Sequence, residues 1–317
     1  MIGILRALSN QRSIPQWTRL FNFHSKGYIM KFSMPKVSAA AMAAGVVLAL
    51  SAGSASAVPT FTIDSSAIIG GATALKTGDK FSGTSSELLH TTATGHTGSG
   101  WLQVSTLDLL GSPVKGFGSV LGSYGLYVTF DLVDTYVGGG SGVNTPNSVN
   151  QLTLLNFKVW ADPSNNNSFT AASAAGTGTE ASVSGTGDDI LLGYGSLLNG
   201  VTGFNSLGGA YVNAVNTFAL CTGAGTAEIG ATAIPSADCT SGTGKSFFVD
   251  PDPFYTFAFT EMNNTTQGLT SNGNLVAITQ ATGAVDFNSV PEPGSLALFG
   301  VGLAGLAASA SRRKSAK

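Results

Sequence analysis

Apolar and polar residues alternate along much of residues 58–290, and residues 124–133 show the pattern most clearly. Four apolar side chains there occupy every second position: Leu126, Val128, Phe130 and Leu132. Because successive side chains of a strand point to opposite faces, this period of two predicts a strand with one buried face. The four apolar residues are therefore expected in a core.

Similar patterns predict further strands. They lie around residues 80–92, 100–110, 151–160, 190–198, 210–220, 255–262 and 275–287, separated by stretches rich in Gly, Ser, Thr, Asn and Pro. A change of apolar phase within residues 151–160 predicts a β-bulge near Leu154. In residues 255–262, Tyr255, Phe257 and Phe259 share one face. The spacing predicts an all-β fold, a single β-sandwich or jelly-roll-like domain over residues 58–289.

A secretory signal peptide is predicted within residues 1–57. Basic residues precede the apolar run 37–50, and small residues then stand where signal peptidase requires them, at Ala55 and Ala57. This order of a basic, an apolar and a small-residue region is typical of a cleaved export signal. Cleavage by signal peptidase is expected before Val58.

The region ahead of that signal is unusually long. Translation from Met30 or Met34 would give a signal peptide of ordinary length, whereas the upstream residues would otherwise form an extended leader. We expect one of these two methionines to be the true start.

A second apolar segment is found in residues 290–317. A helix over residues 295–310 is about 24 Å long, which is short against a hydrocarbon core of about 30 Å. Arg312, Arg313 and Lys314 follow it and are expected to stop transfer, because positive charge is retained on the cytoplasmic side. The segment is predicted to be a short transmembrane helix and a marginal anchor; a core helix is the alternative.

Charge is distributed unevenly. Residues 58–290 contain five Lys against sixteen Asp or Glu, a formal net charge of −11. Nucleic acid is excluded as a partner on this ground, because binding it needs clustered positive charge. Charged residues are only 10% of the chain, against about 25% in ordinary domains. The apolar residues nevertheless cluster in strand-like runs, which indicates a folded domain.

Cys221 and Cys239 are the two cysteines, and both lie in the part expected to be exported. In an oxidising compartment such a pair is expected to form a disulfide. A nucleophilic or metal-binding cysteine is the alternative, but the spacing is not that of metal ligands and no histidine accompanies the pair. A disulfide is therefore predicted.

Candidate catalytic residues are scarce. The sequence contains no Gly-x-Ser-x-Gly elbow, so no catalytic residues are assigned and a non-enzymatic protein is predicted. His90 and His96 lie in a Gly-rich stretch without a carboxylate pair beside them, which favours a surface loop over a metal site. A catalytic pair of acidic residues that meet only in the folded chain is the alternative left open.

Calcium is the one cofactor left open, and no metal site or other cofactor is predicted. Asp188 and Asp189 are adjacent, Asp250 and Asp252 flank a proline, and Asp162 begins an Asp-Pro-Ser-Asn stretch. Carboxylates are the ligands that Ca²⁺ prefers, but none of these segments forms an EF-hand loop.

Three aromatic side chains bear on sugar recognition. Trp101, Trp160 and Tyr127, the last in the polar phase of its strand, have rings that can stack on sugars. Packing within the core or on a sheet face is the alternative, and it is the commoner role of such residues.

The tail resembles the PEP-CTERM sorting signal. Pro291, Glu292 and Pro293 precede the apolar segment, and a basic cluster follows it. The prolines favour an extended segment suited to an enzyme groove, and Glu292 is expected outside the bilayer. The resemblance implies that an exosortase, a membrane-embedded transpeptidase-like enzyme, recognises the signal and processes the anchor.

The domain itself resembles the flocculation-associated PEP-CTERM proteins of floc-forming, polysaccharide-producing Gram-negative bacteria. The similar stretches are TFTID, YGLYVTFDL, LTLLNFKVWADPSNNN and FFVDPDPFYTFAFTEMNNTTQG. The resemblance implies a protein that is transiently anchored in the inner membrane and then held at the cell surface or in the extracellular matrix, where it promotes flocculation with exopolysaccharide. A specific carbohydrate-binding module is the alternative, and a secreted glycan hydrolase is a weaker one.

Overall fold

The computed structural model describes residues 58–117, 122–137, 145–264 and 267–288, and these residues form antiparallel sheets with short helices. The strands are β1 (Phe61–Asp64), β2 (Leu75–Gly78), β3 (Lys80–Thr91), β4 (Gly95–Leu109), β5 (Ser112–Pro113), β6 (Gly125–Tyr136), β7 (Ser148–Asp162), β8 (Ser168–Thr170), β9 (Ser182–Ser184), β10 (Ile190–Phe204), β11 (Ala210–Thr217), β12 (Ala219–Gly223), β13 (Thr226–Ile229), β14 (Thr232–Pro235), β15 (Phe248–Asp250), β16 (Phe257–Asn263), β17 (Leu269–Asn272) and β18 (Leu275–Asn288). The helices are α1 (Ser66–Ile69), α2 (Thr243–Phe247) and a 3₁₀ turn (Thr186–Asp188).

Eight long strands close into one antiparallel ring, in the order β3-β4-β6-β7-β10-β11-β16-β18. β18 returns to β3 and β10 pairs with β11, so the ring has no free edge. Each strand pairs with the next long strand of the chain, which makes the ring an up-and-down barrel. The prediction of an all-β fold is confirmed, but one closed sheet takes the place of the two facing sheets of a sandwich.

The alternation of apolar residues sets the inner face of the ring. Leu126, Val128, Phe130 and Leu132 are all buried, as their period of two predicts. The predicted bulge is also present, since Leu152 and Leu154 have consecutive partners on β6 and the residue between them has none. The bulge restores the inward phase, so that both halves of β7 contribute to the core.

One end of the interior is filled by phenylalanine rings. Four of these rings come from β1, α2, β15 and the segment after β15. Two come from β3 and β18, and Phe218 lies between β11 and β12. We call this group the phenylalanine plug: Phe61, Phe81, Phe218, Phe247, Phe248, Phe254 and Phe287, whose centroids lie 4.7–6.4 Å apart in contacting pairs. Burial of these rings away from water is the main apolar contribution at this end.

Two insertions lie on the outside of the ring. β12, β13 and β14 continue the sheet beyond β10 as an arm. Residues 163–189, which include the β8–β9 hairpin, cover part of the outer face of β4 and β6, where Phe169 contacts Trp101 and Tyr127. Within the described parts of the chain, no helix has the length and apolar character needed to cross a bilayer.

Candidate functional site

The sorting and processing residues predicted at the two ends lie outside the described residues. These are the motif, the basic cluster and two residues of the signal peptidase site: Pro291, Glu292, Pro293, Arg312, Arg313, Lys314, Ala55 and Ala57. Val58, the expected first residue after cleavage, is the first described residue and is 50% exposed. The predicted signal peptide and tail helix also lie outside the described residues.

The arm carries the disulfide. Cys221 on β12 and Cys239 after β14 are joined and buried. They pack in a small apolar cluster with Leu191, Ala219 and Ala227, and Tyr194 lies against this cluster partly exposed. The bond closes the loop that contains β13 and β14, and so ties the segment after β14 to β12.

The arm and the outer face of the ring enclose a groove of about 440 Å³. Its floor consists of two rows of side chains that cross three neighbouring strands in register, so that β6, β7 and β10 each contribute one residue to each row. One row is Asp131, Asn156 and Ser196, and the other is Thr129, Lys158 and Tyr194. We call this site the outer groove.

The outer groove is polar and open to solvent. Asp131, Asn156 and Ser196 are exposed, and Lys158 forms an ion pair with Asp238 of the arm at 3.1 Å. Hydroxyl, amide and carboxylate groups beside a partly exposed tyrosine can hydrogen-bond and stack with sugar units. Sequence reasoning missed this site, because its residues come from four separate segments.

The aromatic residues considered for sugar stacking are mainly packing residues. Trp101 and Tyr127 are 7% and 2% exposed, because residues 163–189 cover them. Trp101 donates a hydrogen bond from Nε1 to the Thr170 carbonyl at 2.9 Å. Trp160 stacks on Tyr127 and is partly exposed. The packing alternative therefore holds for Trp101 and Tyr127.

The end of the interior opposite the phenylalanine plug is polar. We call it the polar end, and it comprises Glu87, His96, Asp134, Asn150 and Thr202, all buried. The Asp134 carboxylate accepts hydrogen bonds from His96 N (2.9 Å), His96 Nδ1 (3.0 Å), Asn150 Nδ2 (3.2 Å) and the Thr202 hydroxyl. The expectation of a surface loop is wrong for His96, because β4 points this side chain into the ring.

Two buried atoms of the polar end, His96 Nε2 and Glu87 Oε2, have no hydrogen-bond partner among the residues that the structure describes. Burial, and after it the charge of Asp134, raises the pKa of Glu87 from 4.5 to about 7. Burial also acts to raise the pKa of Asp134, but hydrogen bonds from His96 and Thr202 outweigh it and lower that pKa. The cavity between these side chains measures about 10 Å³, room for about one water molecule and for no substrate.

The acidic residues considered for calcium divide into two places. Asp252 lies 3.8 Å from Lys245, which supplies a positive charge there. Asp162 meets Asp188 and Asp189, although 25 residues separate Asp162 from Asp188 along the chain. His90 lies on β3 and not in the expected loop; it is partly exposed and pairs with Glu180 at 2.7 Å.

Comparison with known families agrees with the resemblance of the tail. Residues 289–314 match the family model of the PEP-CTERM protein-sorting motif. No curated protein and no solved structure matches this chain. The motif implies a protein that is exported and sorted by an exosortase, and that reaches the cell surface or the extracellular space.

Proposed function

We propose that this chain is a non-enzymatic protein of the cell surface or extracellular matrix that promotes flocculation by contacting exopolysaccharide. The sorting motif at residues 289–314 carries the proposal, because it implies export and exosortase processing. In this scheme signal peptidase removes the leader, the tail holds the chain briefly in the inner membrane, and exosortase then releases the folded domain to the outside.

The outer groove supports contact with a polysaccharide. A polymer chain can lie in a solvent-exposed groove, whereas a closed cavity admits only a small ligand. The groove offers Asp131, Asn156 and Ser196 as exposed hydrogen-bonding groups, and Tyr194 as a partly exposed ring. A net negative charge over residues 58–290 favours neutral or cation-bridged polymers over strongly acidic ones.

A specific carbohydrate-binding module is the second candidate, and the same groove favours it. The two candidates differ in selectivity: a matrix protein needs only weak contacts repeated along a polymer, whereas a module selects one sugar. Binding of the protein recovered from the cell surface to an array of glycans separates them. A secreted glycan hydrolase is the third candidate, and release of reducing sugar from the host polysaccharide would support it.

Deletion of the gene tests the proposal directly. The deletion strain is expected to lose its flocs while it continues to make polysaccharide, and the intact gene is expected to restore them. A gene without residues 290–317 is expected to fail through mislocalisation. Loss of polysaccharide synthesis in the deletion strain, or cleavage of the polysaccharide by the purified protein, would contradict the proposal.

Variants of the outer groove localise the contact. The double substitution Asp131→Ala and Asn156→Ala removes two exposed polar groups and is expected to weaken polysaccharide binding several-fold. Thr97→Ala, at an exposed position on the outer face of β4, is the matched control. Equal binding by both variants would place the contact elsewhere on the domain.

A further inference from the structure

Three carboxylates converge where β7 ends and β10 begins. Asp162 is the last residue of β7, Asp188 lies in the 3₁₀ turn, and Asp189 follows it directly. Ala161 and Ile190 are partners in the antiparallel pairing of β7 and β10, so the chain must return to this point after residues 163–187. One carboxylate oxygen from each of the three residues lies within 4.8 Å of the other two.

In the part of the chain that the structure describes, no basic side chain balances the charge of these carboxylates. None of the ion pairs among the described residues involves Asp162, Asp188 or Asp189. Hydrogen bonds hold the group in place instead: Asn167 N donates to Asp162 Oδ2 at 2.9 Å, and Asn167 Nδ2 donates to Asp189 at 3.0 Å. Burial raises the pKa of Asp189, and the charges of the other two carboxylates add to this effect.

A second observation points to a missing positive partner. Asp162 is only 1% exposed, yet its Oδ1 has no hydrogen-bond partner among the described residues. Buried acceptors are nearly always satisfied in native proteins, and an exception calls for an ion or water. The unsatisfied oxygen belongs to the same carboxyl that converges on Asp188 and Asp189.

We propose that Asp162, Asp188 and Asp189 form a calcium-binding site. The donor set contains only oxygen atoms, which suits a hard cation. Ca²⁺ accepts irregular sets of six to eight oxygens, whereas Mg²⁺ demands near-octahedral geometry and dehydrates reluctantly. Water completes the shell, since Asp188 is exposed and a cleft of about 380 Å³ reaches Asp162 and Asn167.

The site would clamp residues 163–187 at both ends. Asp162 precedes this segment and Asp188 follows it, so one ion ties its two ends together. The segment covers the outer face through Phe169, which contacts Trp101 and Tyr127 with centroids 5.1 and 5.6 Å apart. The Tyr127 hydroxyl also donates to Asp189, which links the covered face to the site. Bound calcium is therefore expected to hold this cover closed.

Calorimetric titration with CaCl₂ tests the site without reference to flocculation. The protein recovered from the cell surface is first stripped with EGTA. One Ca²⁺ per chain is expected, with a dissociation constant on the order of 10⁻⁴–10⁻³ M, as for other extracellular calcium modules. Mg²⁺ at the same concentrations is expected to bind at least tenfold more weakly. Proteolytic cleavage within residues 163–187 is expected to slow when calcium is present.

Two variants and one control decide the assignment. Asp188→Asn and Asp189→Asn are each expected to weaken calcium binding at least tenfold. Asp188 is exposed, so its replacement tests the site even if Asp189→Asn impairs folding. Glu261→Gln, which changes an exposed carboxylate on β16, is the control and is expected to leave calcium binding unchanged. Absence of saturable binding, equal binding of Mg²⁺, or unchanged binding in both site variants would overturn the proposal.

Discussion

The phenylalanine plug and the polar end occupy opposite ends of one interior, and they are held together by different forces. At the plug, rings such as Phe218 and Phe287 pack with their centroids 4.7 Å apart and have no polar atoms to satisfy. At the polar end, Asp134 collects hydrogen bonds from three other residues, while His96 Nε2 and Glu87 Oε2 stay unsatisfied. The same ring of strands thus encloses an apolar and a hydrogen-bonded core.

Because of this difference, the two ends are expected to contribute differently to the stability of the domain and to its dependence on pH. Apolar burial does not change with pH, and its loss scales with the atoms removed. A buried hydrogen-bonded network depends on every partner, since one unsatisfied group costs more than the bond contributes. We therefore expect the plug to supply most of the free energy of unfolding, and the polar end to set its dependence on pH.

Phe218→Ala is expected to have the largest effect. Phe218 is fully buried and contacts four rings, so its truncation should lower the free energy of unfolding by about 3–5 kcal/mol. Thermal unfolding should show a drop of about 10 °C for a domain of this size. Phe259→Ala, the same change at a 37% exposed position, is the control and should cost far less. Equal losses would mean that the plug is not the main core.

Asp134→Asn is expected to come next, because the new amide group would face the hydrogen-bond donors of Asn150 and Thr202. The free energy of unfolding should fall by about 2–4 kcal/mol at neutral pH. The pKa of Asp134 lies below its ordinary value of 3.8, so its contribution is present above that pH and is lost on acidification. Urea unfolding of Asp131→Asn, an exposed neighbour on β6, serves as the control. A deficit that persists unchanged at pH 3 would contradict a role for the Asp134 charge.

Glu87→Gln is expected to have the smallest effect, and to be stabilising. The pKa of Glu87 is raised from 4.5 to about 7, so the folded state binds the proton more tightly than the unfolded state does. The stability linked to Glu87 is therefore full below about pH 4.5 and is lost as pH rises through 7. The neutral glutamine should raise the free energy of unfolding by about 1–3 kcal/mol at pH 8 and change it little at pH 4.5.

The difference between the variant and the native protein isolates Glu87. Burial also raises the pKa of Asp286, to about 6, so the native protein has a second source of pH dependence that both proteins share. Glu261→Gln, at an exposed position on β16, should change stability by less than about 0.5 kcal/mol at either pH. If Glu87→Gln raised the free energy of unfolding at pH 8 no more than Glu261→Gln does, the polar end would not set the pH dependence of stability.

The strands were predictable because their signal is local. Alternation along residues 124–133 correctly predicted the inward residues of β6, and the phase change near Leu154 correctly predicted the bulge of β7. The polar end was not predictable, because the partners of Asp134 come from β4, β7 and β10. His96 has the sequence surroundings of a surface loop, and only the pairing of β4 with β6 places it beside Asp134.

The outer groove and the three-carboxylate cluster could not be predicted from the sequence for the same reason, since their residues are far apart in the chain. Asn156 and Ser196 become neighbours only through the register of β7 and β10. Asp162 and Asp188 were separate candidates for calcium until that register brought them together. The outward phase of Tyr127 indicated exposure, but residues 163–189 cover it. A pattern of period two predicts on which face of the strand a side chain lies, and not whether another segment covers that face.

The sequence by itself determined the all-β class, most strand positions and the sorting motif, because each depends on residues close together in the chain. Tertiary structure alone decided the closure of the ring, since β18 must return to β3 across about 190 residues, as the hydrogen bond from Ser86 to the Ile278 carbonyl shows. Local periodicity fixes which face of a strand is apolar, but it is nearly the same for a sandwich and for a barrel. The choice between a sandwich and a barrel depends on which edge strands pair with each other, and packing over the whole domain determines that pairing.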